Sequence, residues 1–521
     1  MPTKHFVRVA VADYTALLLL TGEDNVLYEL QDTGELWRWD AINNNFILIS
    51  VIGDTGPQGD TGATGSAVPA GVTGSFQLNG GTGLTSVGKY DFLTNSVAIG
   101  VTSLQANTTG VNNIAIGECT LIGNTSGNNN IALGCNSLRN NNGCYNVALG
   151  RNALCSNIFG NNNVAIGNSS LFGNTAGSNN VAIGCGTLRY NTAGGNNIAV
   201  GVLTLYRNTT GVNNVAIGTS SLFGNTAGNN NFAVGYSALF SNTTGSSNIA
   251  LGSNTLCGNT GGCFNIALGS QALYSNTTGC SNIALGQNSL RSNTTGGCNV
   301  SLGRYTLRNN TTGGCNAAIG NQALRSNTTG CNNVALGNLA LCGNTGGNDN
   351  IALGQYSLRA NTTGCENVSL GKRSLCKNTI GKQNISLGGY SMFNNTEGAY
   401  NVSIGTNAMC GNTSGNSNIA IGRSALCGNT GGCYNVAIGD GAIIDNTTGG
   451  HNIALGLGTL SGNFSNSIIL GRGAIATASC QISIGSTAHQ IGPTVAESVT
   501  SDFTLPVQIN GSSYKILLFK V

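Results

Sequence analysis

Residues able to do chemistry are sparse in this sequence, and their spacing argues against catalysis. Between Val97 and Gly485 the carboxylates are Glu118, Asp349, Glu366, Glu397, Asp440 and Asp445. Cleaving a glycan takes paired Asp or Glu, one to give a proton and one to take it or attack. These six are scattered and form no recurring pair. The three histidines, His5, His451 and His489, are far apart. Ser and Thr are plentiful, but no base recurs beside them. The 18 cysteines contain no CxxC spacing of the kind zinc uses. Calcium-binding repeats need Asp at fixed positions, and none recurs. The expectation is a protein that is not an enzyme and has no cofactor and no metal.

A second set of residues is regular. At intervals of 17 from Cys155 come Phe172, Arg189, Tyr206, Phe223, Phe240, Cys257, Tyr274, Arg291, Arg308, Arg325, Cys342, Arg359, Cys376, Phe393, Cys410 and Cys427, with Arg139 one unit before them. Solvent alone would not select Phe and Cys, and a dry core would not accept Arg. A half-buried seam fits both, because Arg can snorkel there and stack on aromatic faces. The column reads as an interface between copies, with a stripe for a receptor or glycan as the alternative. The thiols obey the same period. Cys410/Cys427, Cys263/Cys280 and Cys298/Cys315 each lie one unit apart, near the separation a disulfide needs. A small apolar thiol accounts for them equally well.

What positions these residues is one unit repeated. Its opening Val or Ile falls at 97, 114, 131, 147, 164 and 181, then every 17 residues to 453, then at 468 and 482, giving 24 starts. Such a period marks a solenoid. Counting from that residue, positions one and three are branched apolar with Ala or Ser between, which predicts a short strand with positions one and three buried. Position four is Gly, read as a corner. Position eight is nearly always Leu, read as a second inward strand. Positions eleven to fourteen run Asn-Thr-Thr-Gly or close to it, and Asn closes the unit, so these are read as further corners. The Gly and Asn content and the missing 3.6 period exclude helix. The fold class is therefore all-β: a β-solenoid of about 24 rungs, roughly 115 Å long at about 4.8 Å per rung. Identical residues would stack in columns, and identical Asn can form ladders. Such a coil has a thin apolar core, which favours association with other chains. Asn-Thr-Thr at Asn107, Asn208, Asn242, Asn276, Asn293, Asn327, Asn361 and Asn446 also matches the N-glycosylation acceptor pattern.

Asn95-Ser-Val-Ala-Ile-Gly100, and its tail version Gln481-Ile-Ser-Ile-Gly485, resemble the head repeat of YadA-type trimeric autotransporter adhesins. The 17-residue form with Asn242-Thr-Thr-Gly245 resembles repeats of phage tail fibres and of fibre-like proteins of large viruses. The resemblance covers about 390 of the 521 residues. It implies a left-handed β-roll with three chains side by side. Without a recognised signal peptide, a long coiled-coil stalk or a C-terminal membrane barrel, the sequence departs from the bacterial adhesins and leans toward a virion or phage fibre.

The ends differ from the repeats. Residues 1–52 read as a small β domain for docking to a particle: Val26–Leu30, a turn, Glu35–Trp39 and Phe46–Val51, holding both tryptophans, Trp37 and Trp39. In 53–65 Gly recurs every third residue, as the axis of a collagen triple helix requires, so this reads as a three-stranded neck. Residues 66–94 read as a β cap on the first rung, since a solenoid's end is a sticky edge. The repeats occupy 95–485. Residues 486–521 hold a hairpin signal around Asn510-Gly511 and read as a second cap.

Charged residues are 7% of the chain and its net charge is +3, which leaves no electrostatic footprint for nucleic acid or an anionic membrane. No apolar run is long enough for a membrane span. The expected partners are the chain itself as a homotrimer, extendable to a longer filament, a virion or particle surface through the N-terminus, and a host receptor or glycan. The expected place is a virion surface or extracellular fibre. The alternatives are a bacterial or spore-surface trimeric adhesin and, third, a glycan-cleaving solenoid enzyme.

Overall fold

The computed structural model describes residues 93–485 in full, and outside them the backbone of eight strands. These eight are β1 (Val7–Val11), β2 (Val26–Leu30), β3 (Glu35–Asp40), β4 (Asn45–Val51), β5 (Gly74–Phe76), β6 (Gly88–Asp91), and, after the coil, β31 (Phe503–Ile509) and β32 (Ser512–Leu518). The collagen-like stretch 53–65, His5 and His489 lie outside the described residues. The chain divides into two units, Met1–Val72 and Thr73–Val521. In the first, β1 pairs parallel with β2, and β2–β3 and β3–β4 pair antiparallel.

The second unit is a parallel β-solenoid. Its rungs each contribute one short strand, from β7 (Ser96–Ile99) and β8 (Ile114–Ile116) to β29 (Ile468–Leu470) and β30 (Ile482–Ile484). Every strand pairs parallel with the next at the same unit position, for example Ile249↔Ile266, Ala250↔Ala267 and Leu251↔Leu268. The 16-residue unit keeps this register, with Val147 on Ile131. At the N-terminal edge β6 lies antiparallel on β7, and β5 antiparallel on β6. β31 and β32 form an antiparallel hairpin. No helix occurs among the described residues.

Three readings of the unit are corrected. First, the strand faces the other way. Position two, Ala or Ser, is the buried one, as at Ala250 and Ala267, while Ile249 and Leu268 stay 37% and 36% exposed. Period two fits either face, and in a 17-residue rung the inward Leu of position eight leaves position two room only for a small side chain; where position eight turns outward, at Ile475, position two holds the buried Ile469. Second, position eight is not a strand. Leu256 does point inward and is fully buried, but it sits in a turn with φ of 51°. Left-handed Leu recurs from Leu104 to Leu426 because the stacked rungs hold it there, a conformation a branched residue rarely takes alone. Third, Asn at positions eleven and seventeen does not supply left-handed backbone. Positions six, eight and sixteen do, as at Asn254, Leu256 and Phe264.

The Asn residues instead fill the interior. Asn265 Nδ2 donates to Asn248 Oδ1 at 3.1 Å and to the Gly279 carbonyl at 2.9 Å, and the Asn265 backbone N–H donates to the same Oδ1 at 3.0 Å. In the second ladder Asn259 Nδ2 donates to Asn242 Oδ1 at 2.8 Å and to the Gly262 carbonyl at 3.0 Å. The sequon asparagines belong to this second ladder. Asn242, Asn276 and Asn446 are fully buried with Nδ2 bonded, so sugar cannot be attached there without opening the coil. The position-four Gly is required on two counts. Gly405 has φ of 133°, and a Cβ there would lie 2.5 Å from the Gly422 carbonyl oxygen.

Candidate functional site

Function has to reside on the outside of the coil, where each unit position becomes a column. Positions one and three make two adjoining columns on the outer face of the sheet. All 48 residues in them, from Val97 and Ile99 to Ile482 and Ile484, are apolar. Ile198 is 42% exposed, Phe232 40% and Ile453 42%. Stacking in register forces the pattern, because each strand repeats its neighbour's outward residues about 4.8 Å away.

The position-nine column is half-buried along most of its length. Phe172, Arg189, Tyr206, Phe223, Phe240, Tyr274, Arg291, Arg308 and Arg325 are intermediate, and Arg139 and Arg359 are exposed. Its aromatic run stacks: Tyr206 on Phe223 at 5.1 Å and Phe223 on Phe240 at 5.0 Å between centroids. Its arginines lie over rings, Arg189 on Phe172 at 5.6 Å and Arg291 on Tyr274 at 5.5 Å.

Reading one column at a time missed the partners on either side. Positions six and ten pack beside position nine and contribute Tyr305, Tyr356, Arg373, Tyr390, Tyr190, Arg207 and Lys377. Arg308 lies over Tyr305 at 5.4 Å, Arg359 over Tyr356 at 5.6 Å, and Lys377 over Phe393 at 5.0 Å. Arg373 sits between Tyr356 and Tyr390, at 5.5 and 5.6 Å. The signal in the sequence was the same 17-residue period, shifted by three residues back or one forward.

The cysteines are free thiols. Those at position fifteen act as hydrogen-bond acceptors in the ladder: the Cys263 N–H donates to Cys280 Sγ at 3.2 Å, as the Val212 N–H donates to Asn229 Oδ1 at 2.8 Å. Cys298 and Cys315 are exposed at the left-handed position sixteen. Burial pushes the thiols of Cys155, Cys257, Cys342 and Cys376 up. Cys410 and Cys427 are neighbours in the position-nine column and share a hydrogen bond. That bond pushes Cys410 up and lowers Cys427 to about 7.

Four carboxylates have local structural partners. Asp440 pairs with Arg423 at 2.9 Å, Glu366 accepts from Gln383, and Asp349 accepts from Asn332. Asp445 caps the backbone N–H groups of Ser461 and Gly462, where the unit shortens. His451 stacks on Tyr434 at 4.8 Å. Among the described residues no group of three His, Cys, Asp or Glu could hold a metal ion, and no helix is long and apolar enough to cross a membrane. No protein-family model matches the chain, and no curated protein matches it significantly.

Proposed function

We propose that this chain is the shaft of a trimeric surface fibre of a virion or phage, held together along the outer face of its sheet. The observation that carries this reading is the pair of uncovered apolar columns at positions one and three. A soluble monomer rarely exposes a contiguous apolar patch of more than a few hundred Å². A strip roughly 115 Å long and about 10 Å wide offers on the order of 1,100 Å² per copy, about 550 Å² toward each of two partners, so that a chain held in a trimer buries in all more than the roughly 800 Å² per partner of a standard two-body interface. Three strips turned to a common axis exclude water from each other. The Gly-every-third spacing of 53–65 supports a count of three, since collagen-type packing takes three chains. The surface role rests on the likeness to fibre repeats. On this reading position nine, first read as the interface, faces solvent.

The test is the mass of the full chain by sedimentation. The wild type is expected at three copies. A triple variant, Ile249→Lys, Ile266→Lys and Ile283→Lys, should sediment as single chains with an unchanged circular dichroism spectrum. A wild type at one copy, or a triple variant still at three, overturns the proposal. Immunogold label against the coil should decorate the surface of the particles or cells that carry the protein, and label confined to the inside rejects the surface role.

A further inference from the structure

The position-six, nine and ten columns form a groove where the rungs from 317 to 385 pass. It encloses about 680 Å³ and is lined by Tyr356, Arg359, Arg373, Lys377 and Phe393 among others. We infer that this groove, with its continuation toward Tyr274, binds a linear acidic polysaccharide through its carboxylate or sulfate groups.

Charge is the first argument. From 119 to 348 the sequence has eight arginines, Arg139, Arg151, Arg189, Arg207, Arg291, Arg304, Arg308 and Arg325, and no carboxylate. The groove lining has no Asp or Glu either. Among the described residues the ion pair is Arg423–Asp440, outside the groove. The groove cations thus have no acid partner: rings and neutral acceptors hold them, Arg291 donating to Gln271, Arg325 to Gln322, Arg373 to the Tyr390 hydroxyl and Lys377 to Asn394, so their charge stays uncompensated and each keeps further N–H groups for an anion. Arg308, on the continuation of the groove and not in its lining, likewise has no acid partner, and its buried Nε has no hydrogen-bond partner. A guanidinium braced on a ring presents a planar fork that matches a carboxylate or sulfate.

Spacing is the second argument. Arg291, Arg308, Arg325 and Arg359 rise along one column at multiples of the rung step, about 4.8 Å. Arg304, Arg373 and Lys377 flank them. A ligand with anionic groups repeating along an extended chain can engage several at once. Between the cations, position ten places Ser275, Ser292, Asn309 and Ser326, short polar groups suited to sugar hydroxyls. Nucleic acid fits less well. Sequence-tolerant strand binding needs open aromatic faces for the bases to stack on, and here cations lie over Tyr274, Tyr305, Tyr356 and Phe393.

One chain forms the whole groove. It is open only if copies meet on the sheet face, so the inference rests on that part of the proposed function. The experiment uses the full chain, with heparin and polygalacturonate as acidic glycans, dextran as a neutral one, and duplex DNA. Binding to both acidic glycans and not to dextran is expected, weakening as salt rises. The pair Arg359→Gln and Arg373→Gln should lower affinity at least tenfold. Arg359→Lys with Arg373→Lys should fall between, since charge remains and the fork is lost. Arg423→Gln, outside the groove, should bind as wild type. DNA bound as tightly as the glycans, an unaffected Gln pair, or no binding to either acidic glycan overturns the inference. Sedimentation of each variant separates the two readings. A Gln pair that changes copy number makes the stripe an interface and sinks both. The triple Ile→Lys variant, if monomeric, should keep its affinity per site.

Discussion

The inside of this coil sets buried amide ladders beside its Leu and Ala columns while one of its outer faces is wholly apolar, unlike an ordinary domain. Inside, a typical 17-residue rung holds one Leu, two small residues and two Asn whose amides bond up and down the stack. Outside, the sheet face shows only Val, Ile, Leu, Phe and Ala. The difference follows from width. With Leu at position eight already inside, a 17-residue turn leaves no room for branched side chains from the strand, as Ile469 shows by filling the interior of the rung whose position eight, Ile475, faces out; stacking gives every amide a partner at a fixed spacing, so buried polarity costs little. The inner columns hold the chain in one shape, and the outer ones leave an apolar face uncovered.

Breaking the amide ladder should have the largest effect. Asn265→Ala leaves the Asn282 backbone N–H without its partner and removes one bond each from the Asn282 amide, the Gly279 carbonyl and Asn248 Oδ1, of which the first two keep Gly296 and Asn276. At about 1–3 kcal/mol for the buried N–H left unpaired and about 0.5–1.5 kcal/mol for each of the three other bonds lost, the loss is roughly 2.5–7.5 kcal/mol. Urea unfolding should shift accordingly, and hydrogen exchange should open the rungs around 249–282 first. An unchanged midpoint and exchange pattern would remove the ladder from the account. The same deletion made inside and outside sharpens the contrast. Leu256→Ala should cost about 2–5 kcal/mol. Leu268→Ala should cost the single coil less than Leu256→Ala does, and should instead weaken association on dilution. Equal losses in both would mean the sheet face is no different from the core.

The smallest effect concerns thiols. Cys427, lowered to about 7, becomes thiolate as pH rises through that value, so it should react with iodoacetamide faster than Cys257 at pH 7.5 and lose that lead below pH 6. Mass mapping of alkylated peptides reads this, and equal rates at both pH values would contradict the pairing with Cys410.

Much of the coil was legible because identical units must stack in register. The strand sites, the Gly corner and the inward Leu all follow from the period and from residue size. The strand's facing did not, because alternation of period two is silent about phase. The rule that apolar residues go inside chose wrongly where the Leu of position eight already fills the inside. The turn at position eight was missed because Leu at φ of 51° contradicts its local preference and is imposed by the rungs on either side. The groove was half legible. Arg and aromatic residues in column nine stood out, but Tyr356, Arg373 and Lys377 join them only once the turn brings columns six and ten alongside.

By itself the sequence determined that the chain repeats, that it is built of β-strands, and which residues share a column, since period and composition allow nothing else. Tertiary structure alone decided which columns face inward. That choice depends on how much volume one turn encloses, a property of the closed rung that no single stretch of residues carries.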